Sequence, residues 1–209
     1  MKQVLKKLDV DPKIYKEKAM LGQISSAKNE LISSDAFYSM AAGDFRKTRV
    51  ADIYAEYQSQ LRSNNAMDFD DLLVKTVELF ELHSEILSDY QERFRYIMVD
   101  EYQDTNATQD IIFQSVSRPD NLFMVGDVKQ SIYRFRQAMP EIFIEKRNTF
   151  HDYDGQHYPA RIVLSHNFRS RKEVTESINF LFQAVMSREV GEIDYDGTEA
   201  LTAAAVYPE

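Results

Sequence analysis

Cysteine and tryptophan are both absent from the 209-residue chain, and glycine occurs only six times. Without a thiol there is no disulfide framework, thiolate metal site or cysteine nucleophile, and the composition fits a reducing compartment. None of the six glycines is followed by lysine, so the G-x-x-x-x-G-K-[ST] loop whose backbone amides cradle phosphates is not in this sequence. Long apolar runs are missing too. Nothing approaches the roughly 20 residues that span a bilayer, and the opening MKQVLKKLDVDPK lacks the unbroken apolar stretch of a secretory signal. The expectation is a cytoplasmic protein with no membrane contact.

The residues that are present have the balance of an ordinary soluble protein, 44% hydrophobic and 28% charged, which excludes disordered and fibrous classes. The length allows one large domain or two small ones. A net charge of −9 taken whole argues against a nucleic-acid binder, but the charge is segregated. Residues 67–127 carry 4 basic and 14 acidic side chains, whereas 128–172 carry 9 basic and 4 acidic. A local basic surface can therefore exist on an acidic protein, and a phosphate backbone responds to local potential.

Helical periodicity runs through the first 93 residues. Val50, Ile53, Tyr54, Tyr57 and Leu61 recur on one face, Asp68 with Asp71 three residues later reads as an N-cap with an acidic first turn, and Leu72, Leu73, Val77 and Phe80 continue a stripe. Asp11-Pro12 and Ser33-Ser34-Asp35 are further start signals. The pattern changes at Phe94. Three short apolar runs, Tyr96 to Val99, Asn121 to Val125 and Arg161 to Leu164, each end in polar residues, with helical stretches over 108–116 and after Pro140. Unbroken apolar strands alternating with helices predict a parallel sheet covered on both faces, whose ligand crevice lies beyond the strand C-termini. Residues 172–185 form another amphipathic helix, and the acidic tail from Arg188 is weakly patterned.

Asp100-Glu101 directly after an apolar strand suits magnesium and water, because one carboxylate can hold a hard cation while its neighbour orients and deprotonates a water. By itself such a pair is more often a turn. Here it continues as Tyr102-Gln103-Asp104-Thr105, and the next strand ends in Gly126-Asp127-Val128-Lys129-Gln130-Ser131-Ile132-Tyr133-Arg134-Phe135-Arg136. Taken alone, Tyr133 and Phe135 would first be read as core aromatics and Lys129, Arg134 and Arg136 as a solvated basic patch. Asp68, Asp70 and Asp71 lack the glycine-containing loop of a calcium site, which leaves helix capping as their role. His83, His151, His157 and His166 have no metal-ligand spacing.

These runs identify a family. Val99 to Asp104 closely resembles motif II, the Walker B box, of superfamily 1A DNA helicases of the UvrD, PcrA and Rep type. Gly126 to Arg136 resembles their motif III, Asn167-Phe168-Arg169-Ser170 their motif IV, and Met67 to Leu73 the D-F-D-D-L element ahead of motif II. Asn121 to Lys146 looks most like AddA-type helicase-nuclease subunits. The resemblance implies an α/β fold: a partial RecA-like (P-loop NTPase) parallel sheet with an N-terminal all-helical subdomain. Its expected parts are a helical 1B-type insertion over 1–93, the second half of domain 1A over 94–164, and the start of domain 2A with an acidic tail over 165–209.

The resemblance also implies chemistry, residue by residue. Asp100 would coordinate the magnesium of Mg-ATP, with Gln103 and Phe168 also on the nucleotide, the latter near adenine. Glu101 would be the base for the hydrolytic water, Gln130 the contact to the γ-phosphate, and Arg169 an arginine finger. Tyr133 and Phe135 would stack on bases of single-stranded DNA, and Arg136 would link that surface to the nucleotide. The implied whole is an ATP-dependent 3′-to-5′ DNA helicase or translocase of repair or recombination, acting on single-stranded and duplex DNA with the remainder of a parent helicase and an AddB-like subunit. The alternative is a non-catalytic DNA- or partner-binding module that keeps motor motifs without turnover.

Several positions depart from the family. Phe135 stands where Trp is usual, Phe168 where Tyr is usual, Gln137-Ala138 replaces Gly-Ala, and Ser165-His166 replaces Glu-Gln. The Walker A loop and motifs V and VI are missing as well. The chain is therefore expected to be a fragment that alone binds ATP weakly or not at all and does not unwind DNA, with an exposed sheet position that invites association.

Overall fold

The periodicity of the first 93 residues resolves into six helices: α1 (Lys2–Lys7), α2 (Glu17–Asn29), α3 (Ser34–Met40), α4 (Phe45–Ser63), α5 (Phe69–Leu82) and α6 (Ser84–Arg93). The structure, a computed structural model, describes residues 1–191 and 193–207. It divides into two units, Met1–Phe143 and Ile144–Glu209.

In the first unit, apolar faces of α1, α2 and α4 meet in a core of Val4, Leu5, Met20, Ile24, Ala27, Val50, Ile53 and Tyr54. The helix starts follow local chemistry. Ser33 accepts the Ala36 N–H at 3.2 Å, and Asp68 caps α5 in a reciprocal box: its Oδ1 accepts the Asp71 N–H at 2.8 Å while Asp71 Oδ2 accepts the Asp68 N–H at 3.2 Å. Such a box satisfies two amide donors that the first helical turn would leave open. Asp11-Pro12 does not start a helix. Asp11 instead accepts the Lys13 N–H at 2.8 Å and closes a turn, and α2 begins at Glu17.

After α6 the chain forms β1 (Ile97–Val99), α7 (Ala107–Val116) and β2 (Leu122–Met124), a helical crossover joining two parallel strands in the register Val99 with Met124. Met98 and Phe123, paired across the strands, are 77% and 57% exposed. Helix α8 (Pro140–Thr149) opens on proline, whose missing N–H costs nothing at a first helical position.

In the second unit three two-residue strands follow, β3 (His151–Asp152), β4 (Ala160–Arg161) and β5 (His166–Asn167), then α9 (Lys172–Val185), α10 (Arg188–Gly191) and β6 (Thr202–Ala203). β3 pairs with β4 and β5 with β6, both parallel. The strand expected over Arg161 to Leu164 does not form: only Ala160–Arg161 is extended and paired, and Ile162, Val163 and Leu164 are exposed outside any strand. An apolar run becomes a strand only where a neighbour takes its backbone hydrogen bonds, and among the described residues nothing does so for this one. No described helix is long and apolar enough to cross a membrane.

Candidate functional site

Parallel pairing brings the two polar strand ends side by side. Val125 N–H donates to Val99 O and Tyr102 N–H to Val125 O, each at 2.8 Å, so the segments Asp100–Glu101 and Gly126–Asp127 emerge at one edge of the sheet. Asp100 and Glu101 are both exposed. Asp100 Oδ1 accepts the Glu101 N–H at 2.9 Å, which fixes the carboxylate against the turn.

Gln103, with no exposed surface, joins the two ends. Its Nε2 donates to Glu101 Oε2 at 2.6 Å, and its Oε1 accepts the Asp127 N–H at 3.0 Å. Gly126 is the residue that admits it: a Cβ there would lie 2.7 Å from Gln103 Oε1 and 3.0 Å from a Phe143 ring carbon. Tyr102, equally buried, packs on Phe113 and Phe143 and donates its hydroxyl to Asp110. Burial, with that hydrogen bond, pushes the phenol pKa far up.

Asp127 organises the other strand end. Lys129 Nζ lies 2.9 Å from its Oδ1 and Gln130 Nε2 donates to its Oδ2 at 3.1 Å. Burial raises the Asp127 pKa, but these hydrogen bonds outweigh it and hold the carboxyl below its ordinary value. The Gln130 side chain is thereby held at its terminal amide. Asp104 is the contrasting case. Its Oδ1 is buried with no hydrogen-bond partner among the described residues, and burial together with the Glu101 charge raises its pKa.

Two non-glycine residues in the left-handed region mark this neighbourhood. Asp9, Leu31 and Asn65, at positive φ, each follow a helix end, where that conformation is common. Gln137 (φ 68°) caps the 3-10 turn Arg134–Arg136 in the same way, whereas Glu101 (φ 52°) lies in the carboxylate loop ahead of a helical turn. Strain held by non-glycine residues concentrates at functional positions.

Tyr133, Phe135 and Arg136 come together on the surface. The ring centroids lie 5.9 Å apart, and the Arg136 guanidinium sits 5.2 Å from one and 5.6 Å from the other. Phe135 is 75% exposed and Tyr133 38%, so they are not the core aromatics their spacing alone suggested. Met139 N–H donates to Thr105 O at 2.9 Å, which ties this turn to the carboxylate loop.

Phe168 and Arg169 belong to the second unit. There Asn167 Oδ1 accepts the Arg169 and Ser170 N–H groups at 2.9 and 2.8 Å, Phe168 stacks on His166, and Tyr207 donates its hydroxyl to Arg169 O. Both Phe168 and Arg169 are exposed.

Sequence reasoning missed a buried cation. Lys28, 2% exposed, places Nζ 2.6 Å from Asp68 Oδ2 and 2.8 Å from Asp71 Oδ1, and over the Tyr57 ring. Beside it Asn29 Oδ1 accepts from Asn106 Nδ2 at 2.7 Å, and the Thr108 hydroxyl donates to Asn29 O at 2.8 Å. The D-F-D-D-L carboxylates thus cap α5 and hold α2 against it, while Asn29 bonds α2 to the helix that follows the carboxylate loop. Gln58 reinforces Asp71 at 3.1 Å.

Magnesium fits the strand ends. Exposed Asp100 is a hard anionic donor, and magnesium is commonly held by one or two carboxylates with waters and substrate phosphates. Among the described residues no three acidic or histidine side chains gather as a protein-only metal cage.

Strand-end carboxylates over a parallel pair are followed in the chain by an exposed ring-and-arginine turn. Residues 1–151 match the family model of the UvrD/REP helicase N-terminal domain, and the chain belongs to that family. It is similar to an ATP-dependent helicase/nuclease subunit of Clostridium kluyveri, 44% identical over 169 residues that cover 76% of this chain and 14% of that protein. The protein of the same name from Acetivibrio thermocellus is 41% identical over 222 aligned residues, covering 99% of this chain and 17% of the relative. That of Streptococcus sanguinis is 47% identical over 154 residues, 74% of this chain and 12% of the relative. The chain therefore spans less than a fifth of the length of these curated relatives.

Proposed function

We propose that this chain is a motor-core segment of an ATP-dependent 3′-to-5′ DNA helicase or translocase, acting with an AddB-like partner in a repair or recombination complex. Its strands 97–99 and 122–124 would belong to a RecA-like domain 1A and its first helices to a 1B-type insertion. Identity to proteins named as ATP-dependent helicase/nuclease subunits supports the class. One observation carries the reading: a single backbone hydrogen bond, Met139 N–H to Thr105 O, joins the turn bearing Tyr133, Phe135 and Arg136 to the loop bearing Glu101, Gln103 and Asp104. A motor needs such direct connection between phosphate chemistry and DNA grip.

Mg-ATP, when bound, supplies the phosphoanhydride and the cation that neutralises its charge. Asp100 takes the cation at the strand end. Glu101 accepts the proton of the attacking water on the carboxylate whose Oε2 is steadied by Gln103 Nε2. Gln130, whose amide nitrogen is held by Asp127, contacts the terminal phosphate with the same amide and changes position when that contact is lost. By the family resemblance, Arg169 would bring permanent charge and paired donors to a phosphoryl group, and Phe168 would offer a face to the base. Tyr133 and Phe135 stack on successive DNA bases while Arg136 sits across both rings.

The test is reciprocal coupling. The affinity of the chain for a labelled oligo(dT) is measured with and without magnesium and a non-hydrolysable ATP analogue, in wild type and Asp100→Asn. The motor reading expects that the analogue, supplied at saturating concentration because this chain holds nucleotide only weakly, changes DNA affinity and that Asp100→Asn removes the change, because coupling between sites is mutual. Salt-sensitive DNA binding with no nucleotide response would instead support a binding module without turnover.

A further inference from the structure

We propose that Ser26, on a helix outside both motif segments, is a positioning residue that sets the DNA-stacking turn through Gln137; the inference rests on the DNA-binding reading of Tyr133 and Phe135. Gln137 closes that turn. Its N–H donates to Arg134 O at 3.0 Å, Arg136 N–H donates to Tyr133 O at 2.7 Å, and Gln137 itself adopts φ 68°. A side chain in the left-handed region is unfavourable unless something local compensates, and glycine is the residue that adopts it without cost. The compensating contact is present: the Ser26 hydroxyl donates to Gln137 Oε1 at 3.2 Å across 111 residues of sequence. Glu30 Oε1, at 3.5 Å, is the more distant acceptor for the same proton.

Ser26 is a fixed point for this tether because the turn of α2 that follows it is pinned from several sides. Lys28 is buried between Asp68 and Asp71, Asn29 is bonded to Asn106, and the Thr108 hydroxyl closes on the Asn29 carbonyl. The turn beyond Arg136 is thus held at both ends, by Met139 on Thr105 and by Gln137 on Ser26. Releasing the Gln137 end leaves Phe135 and Arg136 free to leave the arrangement in which the guanidinium covers both rings. DNA must then order them on binding, which lowers affinity.

The experiment measures fluorescence anisotropy of a labelled oligo(dT) with the full 209-residue chain, alongside thermal melting. Ser26→Ala and Gln137→Gly each weaken binding by about five-fold, the size of one lost neutral hydrogen bond. Combined they weaken it no further, since they remove one shared interaction. Ser26→Thr keeps the hydroxyl and restores affinity. Gln137→Gly does not lower the melting temperature, because glycine accepts the backbone conformation; a merely structural role would make affinity follow stability. Wild-type affinity in Ser26→Ala and Gln137→Gly, with binding lost in Phe135→Ala, overturns the positioning role while leaving the DNA reading intact. If Phe135→Ala binds as wild type does, the DNA reading falls and this inference with it.

Discussion

Gln103 donates to Glu101 Oε2 at 2.6 Å while its own carbonyl oxygen accepts the Asp127 N–H at 3.0 Å, so one buried amide fixes the ends of both parallel strands. Gly126 leaves the room it occupies. Gly126→Ala forces a methyl against a side chain pinned at both ends and against the Gln103 backbone N, 3.2 Å from the Cβ position. The expected loss is about 1–3 kcal/mol of stability, the usual size of overpacking. Gln103→Ala strands the Asp127 N–H in a cavity and is expected to cost about 2–3 kcal/mol. Urea unfolding followed by circular dichroism measures both; wild-type midpoints would show that the amide does not lock the strands.

Lys28 contacts both Asp68 and Asp71 from a position that water barely reaches. Lys28→Met leaves the two carboxylates without that cation. Removing one partner of a buried ion pair typically costs about 3–5 kcal/mol, and unfolding measurements should show a loss of that order. A change below about 0.5 kcal/mol, as at an ordinary surface site, would mean the cluster is solvated.

Asp71 gives this cluster a pH signature. Burial raises its pKa, but Lys28, the Asp68 N–H and Gln58 together bring it below the ordinary carboxylate value. A depressed folded-state pKa contributes stability that is complete above the unfolded value, about 3.9, and is lost as pH falls through the folded one. Wild type should therefore lose stability steeply on acidification below about pH 4. Asp71→Asn should be less stable at neutral pH and have a shallower acid slope. Parallel slopes for the two proteins would count against the assignment.

Asp104 behaves in the opposite sense. Its raised pKa means its contribution is complete below the unfolded carboxylate value and is lost as pH rises through the folded one. Asp104→Asn removes that loss, so it should melt higher than wild type at neutral pH, with the gap closing towards about pH 4. A variant that melts lower at neutral pH would show that the ionised carboxylate has a stabilising partner.

Much of this arrangement could be read from residue order because it depends on local rules. The Asp68 capping box, the Ser33 cap and the strand-end position of Asp100-Glu101 are each set within a few residues. Lys28 could not be read that way. A lone lysine in an amphipathic helix looks solvated, and its partners lie 40 and more residues on, brought to it only by packing of α2 on α5. The run Ile162 to Leu164 misled for a related reason. Its hydrophobicity has the composition of a strand, but pairing depends on a neighbour the local pattern does not reveal. Tyr133 and Phe135 were ambiguous between core and surface until their exposure and the Arg136 contact settled where they sit.

At the centre of the proposed function, the Tyr133–Phe135–Arg136 turn grips single-stranded DNA. The direct measurement is oligo(dT) affinity across a salt series for wild type, the Tyr133→Ala/Phe135→Ala double variant and Arg136→Ala. Base stacking on an aromatic side chain is worth about 1–3 kcal/mol, so the double variant should bind at least about tenfold more weakly with an unchanged salt slope. Arg136→Ala should flatten the slope by about 0.7, the equivalent of one phosphate contact on a single strand. Equal affinity and equal slope in all three proteins would contradict the DNA grip.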